Sequence, residues 1–300
     1  MKRFHILCAW LLALAAAGCA VTPKIEPAPE PPPVVHARPA PKIALALGGG
    51  AARGFAHIGV IKALEAQGIY ADIVVGTSAG SVVGALYASG IGGFDLQRIA
   101  LAMDDGAAFS DWSLPDRGII KGEALQNYIN TALGNRPIEK MQRTLAIVAT
   151  DLQSGEAVVF RNGNVGMAVR ASSSVPGLFQ PVRINGHDYV DGGLVSPVPV
   201  RVARSLGADL VIAVDISSRP RFAKTASSLD VLLQTFTIMG QAIAAHELPE
   251  ADVVIRPNVD GVSGTDFQAR HLAIMEGERA ASASLGALRA KLAEVAAKAR

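Results

Sequence analysis

Ser78 stands in Gly76-Thr77-Ser78-Ala79-Gly80, a GxSxG set between the β-branched run Ile73 to Val75 and the stretch Ala79 to Tyr87. The run reads as a buried strand and the stretch as a helix, so Ser78 falls on a sharp strand-to-helix turn. Such a turn holds a serine in a strained backbone state with its hydroxyl pushed out of the fold, the placement a nucleophile needs. Side chains at Gly76 or Gly80 would collide with the turned chain or with an arriving substrate. The helix N-terminus behind Ser78 favours negative charge at the same spot. A plain Gly-Ser turn has the same letters; the position between strand and helix is what argues for chemistry.

A nucleophilic serine needs a base, and the usual one is histidine. From Lys42 onward the histidines are His57, His187, His246 and His271, none of them in a recognisable motif. His57 falls inside a predicted helix and reads as packed or hydrogen-bonded for structure. His187 follows the Asn185-Gly186 turn and reads as solvated, while His246 and His271 lie on predicted helices. The other candidate is Asp191 in Tyr189-Val190-Asp191-Gly192-Gly193, where a strand ends on a tight turn. An aspartate before two glycines is also an ordinary turn residue, so both readings stand at this point.

A third stretch completes the set. The apolar strand Ile43 to Leu47 runs directly into Gly48-Gly49-Gly50-Ala51-Ala52-Arg53-Gly54, and a helix follows to about Gln67 with Gly68 as its cap. Strand, glycine loop and helix together aim backbone N–H groups at an anion. That anion is a phosphate or an oxyanion. No Gly-Lys-Ser/Thr is present, and Asp72 begins rather than ends the next strand, which misplaces a ribose contact. In a parallel sheet the loops after neighbouring strands meet at one carboxyl edge, so an oxyanion hole beside a nucleophile explains both loops at once.

The elements that must position these residues follow from periodicity. Ile91 to Met103, Gly122 to Leu133, Val165 to Ser173 and the alanine-rich C-terminal stretch read as helices. Leu229 to Ala245 reads as an amphipathic helix. Thr144 to Ala149, Ala157 to Phe160, Leu210 to Val214 and Val253 to Ile255 read as strands, and Arg183 to Val190 as a hairpin that delivers Asp191. Helices alternating with buried strands predict an α/β domain around a mainly parallel sheet. Residues 104–118 carry Phe109, Trp112 and Leu114, and read equally as an interfacial lid or as a cluster packed on the core.

Composition narrows the class. The 300 residues are 50% hydrophobic and 18% charged with a net charge of +2, which suits one large globular domain or two small ones. No basic run stands out, so nucleic acid is not an expected partner. The chain opens on Lys2 and Arg3, continues as the unbroken apolar run Ile6 to Ala17, and reaches Gly18-Cys19. That run is too short to span a bilayer and suits a signal peptide. Cys8 and Cys19 are the only cysteines, which leaves no disulfide or thiolate metal site beyond the leader. No EF-hand-like acidic loop is present, and neither cofactor nor metal is expected. Val21 to Pro41 is rich in proline and reads as an extended tether.

The Leu14 to Cys19 stretch resembles the lipobox of bacterial lipoproteins, although Ala16 stands where leucine is usual. That resemblance implies a signal peptide over 1–18, a lipidated Cys19 heading a tether over 19–41, and anchorage in the outer membrane of a Gram-negative bacterium, facing the periplasm. The remainder, 42–300, is expected to be one catalytic domain, and from about Lys42 to Ile216 it resembles the patatin-like phospholipases of the bacterial single-domain type. The resemblance rests on Gly48-Gly49-Gly50 with Arg53-Gly54, on Gly76 to Gly80, and on Asp191-Gly192-Gly193. Ala149 to Glu156 and Ala171 to Pro181 also match it. It implies a three-layer α/β/α patatin-like fold and a phospholipid or lysophospholipid acyl hydrolase working through a Ser-Asp dyad. Ser78 would be the nucleophile and Asp191 the general base. Amides of Gly48, Gly49 and Gly50 would hold the oxyanion, with Arg53 shaping the loop or adding positive potential. The loop carries one alanine more than the common GGGxRG. A general carboxylesterase or thioesterase, an esterase with a histidine-containing triad, and a lipid-binding lipoprotein without catalysis are the competing functions.

Overall fold

The computed structural model describes residues 40–103, 120–217 and 225–298. The signal peptide, Cys19, nearly all of the tether and the 104–118 loop lie outside them. The first unit is β1 (Ile43–Leu47), a glycine loop, and α1 (Phe55–Glu65). The second is β2 (Ile73–Thr77) followed by α2 (Ala79–Ala88). Next come α3 (Gly93–Ala102), α4 (Glu123–Ala132), β3 (Thr144–Asp151), β4 (Ala157–Phe160) and α5 (Val165–Ser172). A hairpin of β5 (Val182–Ile184) and β6 (His187–Asp191) turns at Asn185-Gly186, both with positive φ. The chain ends with α6 (Val200–Ser205), β7 (Leu210–Val214), α7 (Ser228–Glu247), β8 (Val253–Ile255) and α8 (Arg270–Lys298).

Eight strands form one mixed sheet whose central path runs β3-β2-β1-β7-β8, parallel throughout. Antiparallel strands extend it at β3. There β4 takes one edge, opposite Ile147 to Thr150. On the other edge β2 pairs as far as Val148, and β6 takes over at Ala149. Strands β2 and β6 therefore lie end to end along one edge of β3, and their C-terminal residues Thr77 and Asp191 occupy adjacent rungs.

Side chains alternate across the sheet and sort the helices into two outer layers, giving the three-layer α/β/α arrangement. Leu45, Leu47, Val74 and Ile212 face one way, into a core shared with α1, α2 and α8. Ala44, Ala46, Val75 and Val211 face the other, where α6 supplies Val200 and Ala203 and α7 supplies Ala244. On the first face α1 and α8 touch backbone to backbone. A Cβ on Gly59 would strike the Ile274 carbonyl oxygen, and one on Gly277 would strike that of Ala56.

Two expectations change. Helix α6 was not foreseen; it is only six residues long and follows Pro197 and Pro199. Helix α7 forms where predicted but is not amphipathic in the expected sense. Of its residues only Ala244 and Glu247 are buried, and the side turned to solvent carries Val231, Leu232, Ile238 and Met239.

Candidate functional site

Ser78 closes β2 and caps α2 with φ 52° and ψ −123°, a conformation that costs a non-glycine residue on the order of 1–3 kcal/mol. The neighbouring glycines enforce it. A Cβ on Gly76 would run into Gly80 and Ser81, and one on Gly80 would run into the carbonyls of Leu47 and Gly48. The collision is with the chain itself, so the turn is tight because β1 and α2 converge on it.

The Ser78 hydroxyl donates to Asp191 Oδ2 at 2.6 Å. The encounter follows from the sheet: the ends of β2 and β6 meet on β3. Asp191 is then fixed on every side. Its second oxygen accepts from Gly193 N at 2.7 Å, its own N–H donates to Ser174 O at 2.9 Å, and its carbonyl accepts from Thr150 Oγ1 at 2.8 Å. Only 7% of the residue reaches solvent. Burial pushes the carboxyl up to about 6, against the opposing pull of the Ser78 and Gly193 hydrogen bonds. A buried aspartate with two neutral donors and, among the described residues, no cationic partner is a stronger base than one in water.

The nucleophile turn is supported from below. Ser78 N donates to Ser172 Oγ at 2.9 Å, and Ser172 Oγ donates to Val148 O at 2.5 Å. Thr77 Oγ1 donates to Ser196 O at 2.8 Å, and the Ser196 hydroxyl lies 3.0 Å from both oxygens of the buried Glu247. Neither Ser172 nor Ser196 was singled out in the sequence. Ser172 did lie inside the stretch Ala171 to Pro181, where three consecutive serines are an unusual content for a buried segment.

The glycine loop lies against this turn, since a Cβ on Gly49 would sit 3.2 Å from Ser78 Cβ. The expectation that all three glycine amides face an oxyanion is corrected by their partners. Gly48 N donates to Val214 O at 3.1 Å and Gly49 N to Pro197 O at 2.9 Å. Gly50 N has no acceptor among the described residues. The Arg53 Nε is buried and makes no hydrogen bond among them either. Burial lowers the Arg53 guanidinium, and the charge of Asp260 partly restores it. Gly192 and Gly193 complete the motif on the other side; a Cβ on Gly192 would strike the Val148 carbonyl oxygen.

The histidines go elsewhere. His57 is fully buried, with Nε2 2.8 Å from the Gly48 carbonyl oxygen. A carbonyl only accepts, so Nε2 carries the proton, and burial holds the ring down at about 4. His57 is thus a neutral strut under the glycine loop. His187, expected to be solvated, is exposed on one side but has Nδ1 2.8 Å from Asp151 Oδ2. His246 and His271 are exposed on α7 and α8. Among the described residues no histidine hydrogen-bonds Ser78.

Residues 45–204 match the Patatin family, described as patatin-like phospholipase. An uncharacterized NTE family protein of Mycobacterium tuberculosis is 36% identical over 184 residues, covering 61% of this chain and 51% of that protein. The mouse patatin-like phospholipase domain-containing protein 6 is 36% identical over 184 residues, 59% of this chain and 14% of its own length. The chain thus spans about half or less of the curated relatives it matches. Among solved structures, VipD from Legionella pneumophila superposes with a TM-score of 0.50 at 16% identity, covering 83% of this chain and 67% of that one. ExoU in its heterodimeric complex with SpcU, from the Pseudomonas aeruginosa type III secretion system, gives 0.50 at 18% identity over 85% and 52%. At these identities the likeness is one of fold.

Proposed function

Because this chain belongs to the patatin-like phospholipase family, we propose that it is a lipid acyl hydrolase cleaving acyl esters of phospholipids or lysophospholipids. The observation that carries the reading is the 2.6 Å hydrogen bond from Ser78 Oγ to a desolvated Asp191. Asp191 takes the Ser78 proton as Oγ attacks the ester carbonyl. Negative charge gathers on the former carbonyl oxygen, and the N–H groups of Gly50 and Ala51 are the glycine-loop amides without an acceptor among the described residues, with Arg53 adding positive potential. Asp191 returns the proton to the departing lysolipid or glycerol oxygen. A water then gives its proton to Asp191 and attacks the acyl-serine, and Asp191 passes that proton to the departing Ser78 Oγ as the fatty acid is released.

The reading extends to the N-terminus. The run Ile6 to Ala17 with Cys19 behind it supports lipidation at Cys19 and an outer-membrane, periplasm-facing placement. Labelled palmitate incorporated by the chain and not by Cys19→Ala is the expected result; equal labelling of both rejects it.

The deciding experiment incubates the chain and its Ser78→Ala variant with mixed phospholipid micelles and with a short chromogenic ester. Serine-dependent release of fatty acid from phospholipid is expected. Release from the short ester alone identifies a general esterase or thioesterase instead. Release from neither substrate by a folded chain rejects hydrolysis.

A further inference from the structure

Helix α7 turns its apolar residues the wrong way for water. From Val231 to Ala245 it holds no charged side chain. Val231, Ile238 and Met239 are 53%, 52% and 46% exposed, and with Leu232 they form one stripe along the outer side. The helix's two threonine hydroxyls bond to its own backbone. Thr235 Oγ1 donates to Val231 O at 2.9 Å and Thr237 Oγ1 to Leu233 O at 3.0 Å, which leaves both satisfied within the helix. Its most apolar 18-residue window has a mean hydropathy of 1.2.

The helix is nevertheless held to the domain. Glu247 accepts from the Ser196 hydroxyl and from Arg201 N, and is buried in doing so. Gly240 packs over the loop of Gly193 and Pro197, where a Cβ would lie 3.9 Å from each. Leu232 lies over Gly177. A helix that is apolar outward and pinned inward lies on a bilayer rather than crossing it.

We infer that α7 is an interfacial helix that seats this domain on a phospholipid surface, with Val231, Ile238 and Met239 among the acyl chains and Leu232 at their domain-side edge. The occupant is chosen by continuity with the site. The stripe reaches the site through Leu232, which lies over Gly177, three residues from the Ser174 whose carbonyl accepts the Asp191 N–H. Whatever covers the stripe is delivered beside Ser78, and a lipid surface delivers an ester there, whereas a second copy of the chain would cover the approach. The inference rests on the lipid hydrolase reading above for its substrate, but its test does not.

The test uses the full chain with Cys8→Ser and Cys19→Ser, so that no acyl anchor forms, and Ile238→Cys carrying an environment-sensitive NBD fluorophore. Vesicles of phosphatidylethanolamine and phosphatidylglycerol are expected to raise and blue-shift its emission several-fold. The same label at Met275→Cys, exposed on α8 across the sheet, is expected not to respond. An unresponsive label at 238 overturns the inference. So does emission that is high before vesicles are added and drops when residues 1–39 are removed, which would assign the stripe to the chain's own N-terminal segment. A concentration-dependent rise without vesicles, with doubled mass by light scattering, would assign it to a second copy and overturns it too. Joint Ile238→Asp and Met239→Asp substitution is expected to lower micellar phospholipid hydrolysis by about tenfold or more while sparing a soluble short-chain ester. Equal loss on both substrates counts against docking. The labelled chain with Ser78→Ala is expected to respond to vesicles as before, so docking without hydrolysis would strike the enzymatic reading and leave this one standing.

Discussion

Asp191 and Asp151 stand at opposite ends of one short ladder. β3 and β6 pair over Ala149–Asp191, Thr150–Val190 and Asp151–Tyr189. At one end Asp191 is sealed from solvent with a hydroxyl and one amide, and burial raises it to about 6. At the other, Asp151 accepts from Ser154 N, Gln153 N and His187, and these donors lower it. Two aspartates two rungs apart on the ladder shift in opposite directions, Asp191 because burial dominates and Asp151 because its donors do. Residue type decides only that both are able to ionise.

The comparison breaks most sharply on turnover. Asp191→Asn is expected to lower ester hydrolysis roughly 10³–10⁴-fold, whereas Asp151→Asn is expected to leave it within about twofold. Comparable losses in the two variants, each folded by circular dichroism, would erase the distinction. The pH profile sharpens it. If Asp191 is the base only its ionised form serves, so kcat/KM is expected to rise with pH, pass half-maximum at about 6, and level off above. A half-maximum near 4 would show that burial leaves the carboxyl unperturbed.

Stability offers a smaller effect of opposite sign. The folded state holds a proton on Asp191 more tightly than the unfolded chain does, with a rise from 3.8 to about 6. Its favourable contribution is therefore full below the unfolded value and is lost as pH climbs through the folded one. Relative to the unfolded chain, ionised Asp191 costs the fold about 3 kcal/mol at pH 8. Asp191→Asn is expected to raise the melting temperature at pH 8 by several degrees and to lose that advantage near pH 4. Ser172→Ala removes the acceptor for Ser78 N and is expected to cost about 1–3 kcal/mol, with kcat lowered and KM unchanged; a KM effect alone would mean that Ser172 does not position the nucleophile.

The parts of the site that the sequence displays are those set by local chemistry. Gly48 to Gly54, Gly76 to Gly80 and Asp191 to Gly193 each mark a strand end by the glycines that the turn demands. What joins them is not local. Nothing near Asp191 says that β6 continues the edge left open by β2; that follows from pairing with β3, some forty residues earlier in the chain. The partners of Gly48 and Gly49, Val214 and Pro197, are still farther away, so their amides look available until the sheet is assembled. The same holds for His187, whose solvated turn lies beside Asp151 only once the hairpin docks. Helix α7 was legible in extent but not in orientation, because an apolar stripe in a sequence does not say which way it faces.

The contact between α1 and α8 sets a timetable. Gly59 and Gly277 let the two backbones touch, and the helix that carries His57 and steadies the glycine loop is completed by α8, which is made much later. At typical rates of synthesis the later glycine emerges on the order of 10–40 s after the earlier one. Chains ending before Arg270 are expected to be cut by protease within α1 while β2 and β3 persist. A chain made only as far as β8 would therefore hold Ser78 without a settled loop beside it.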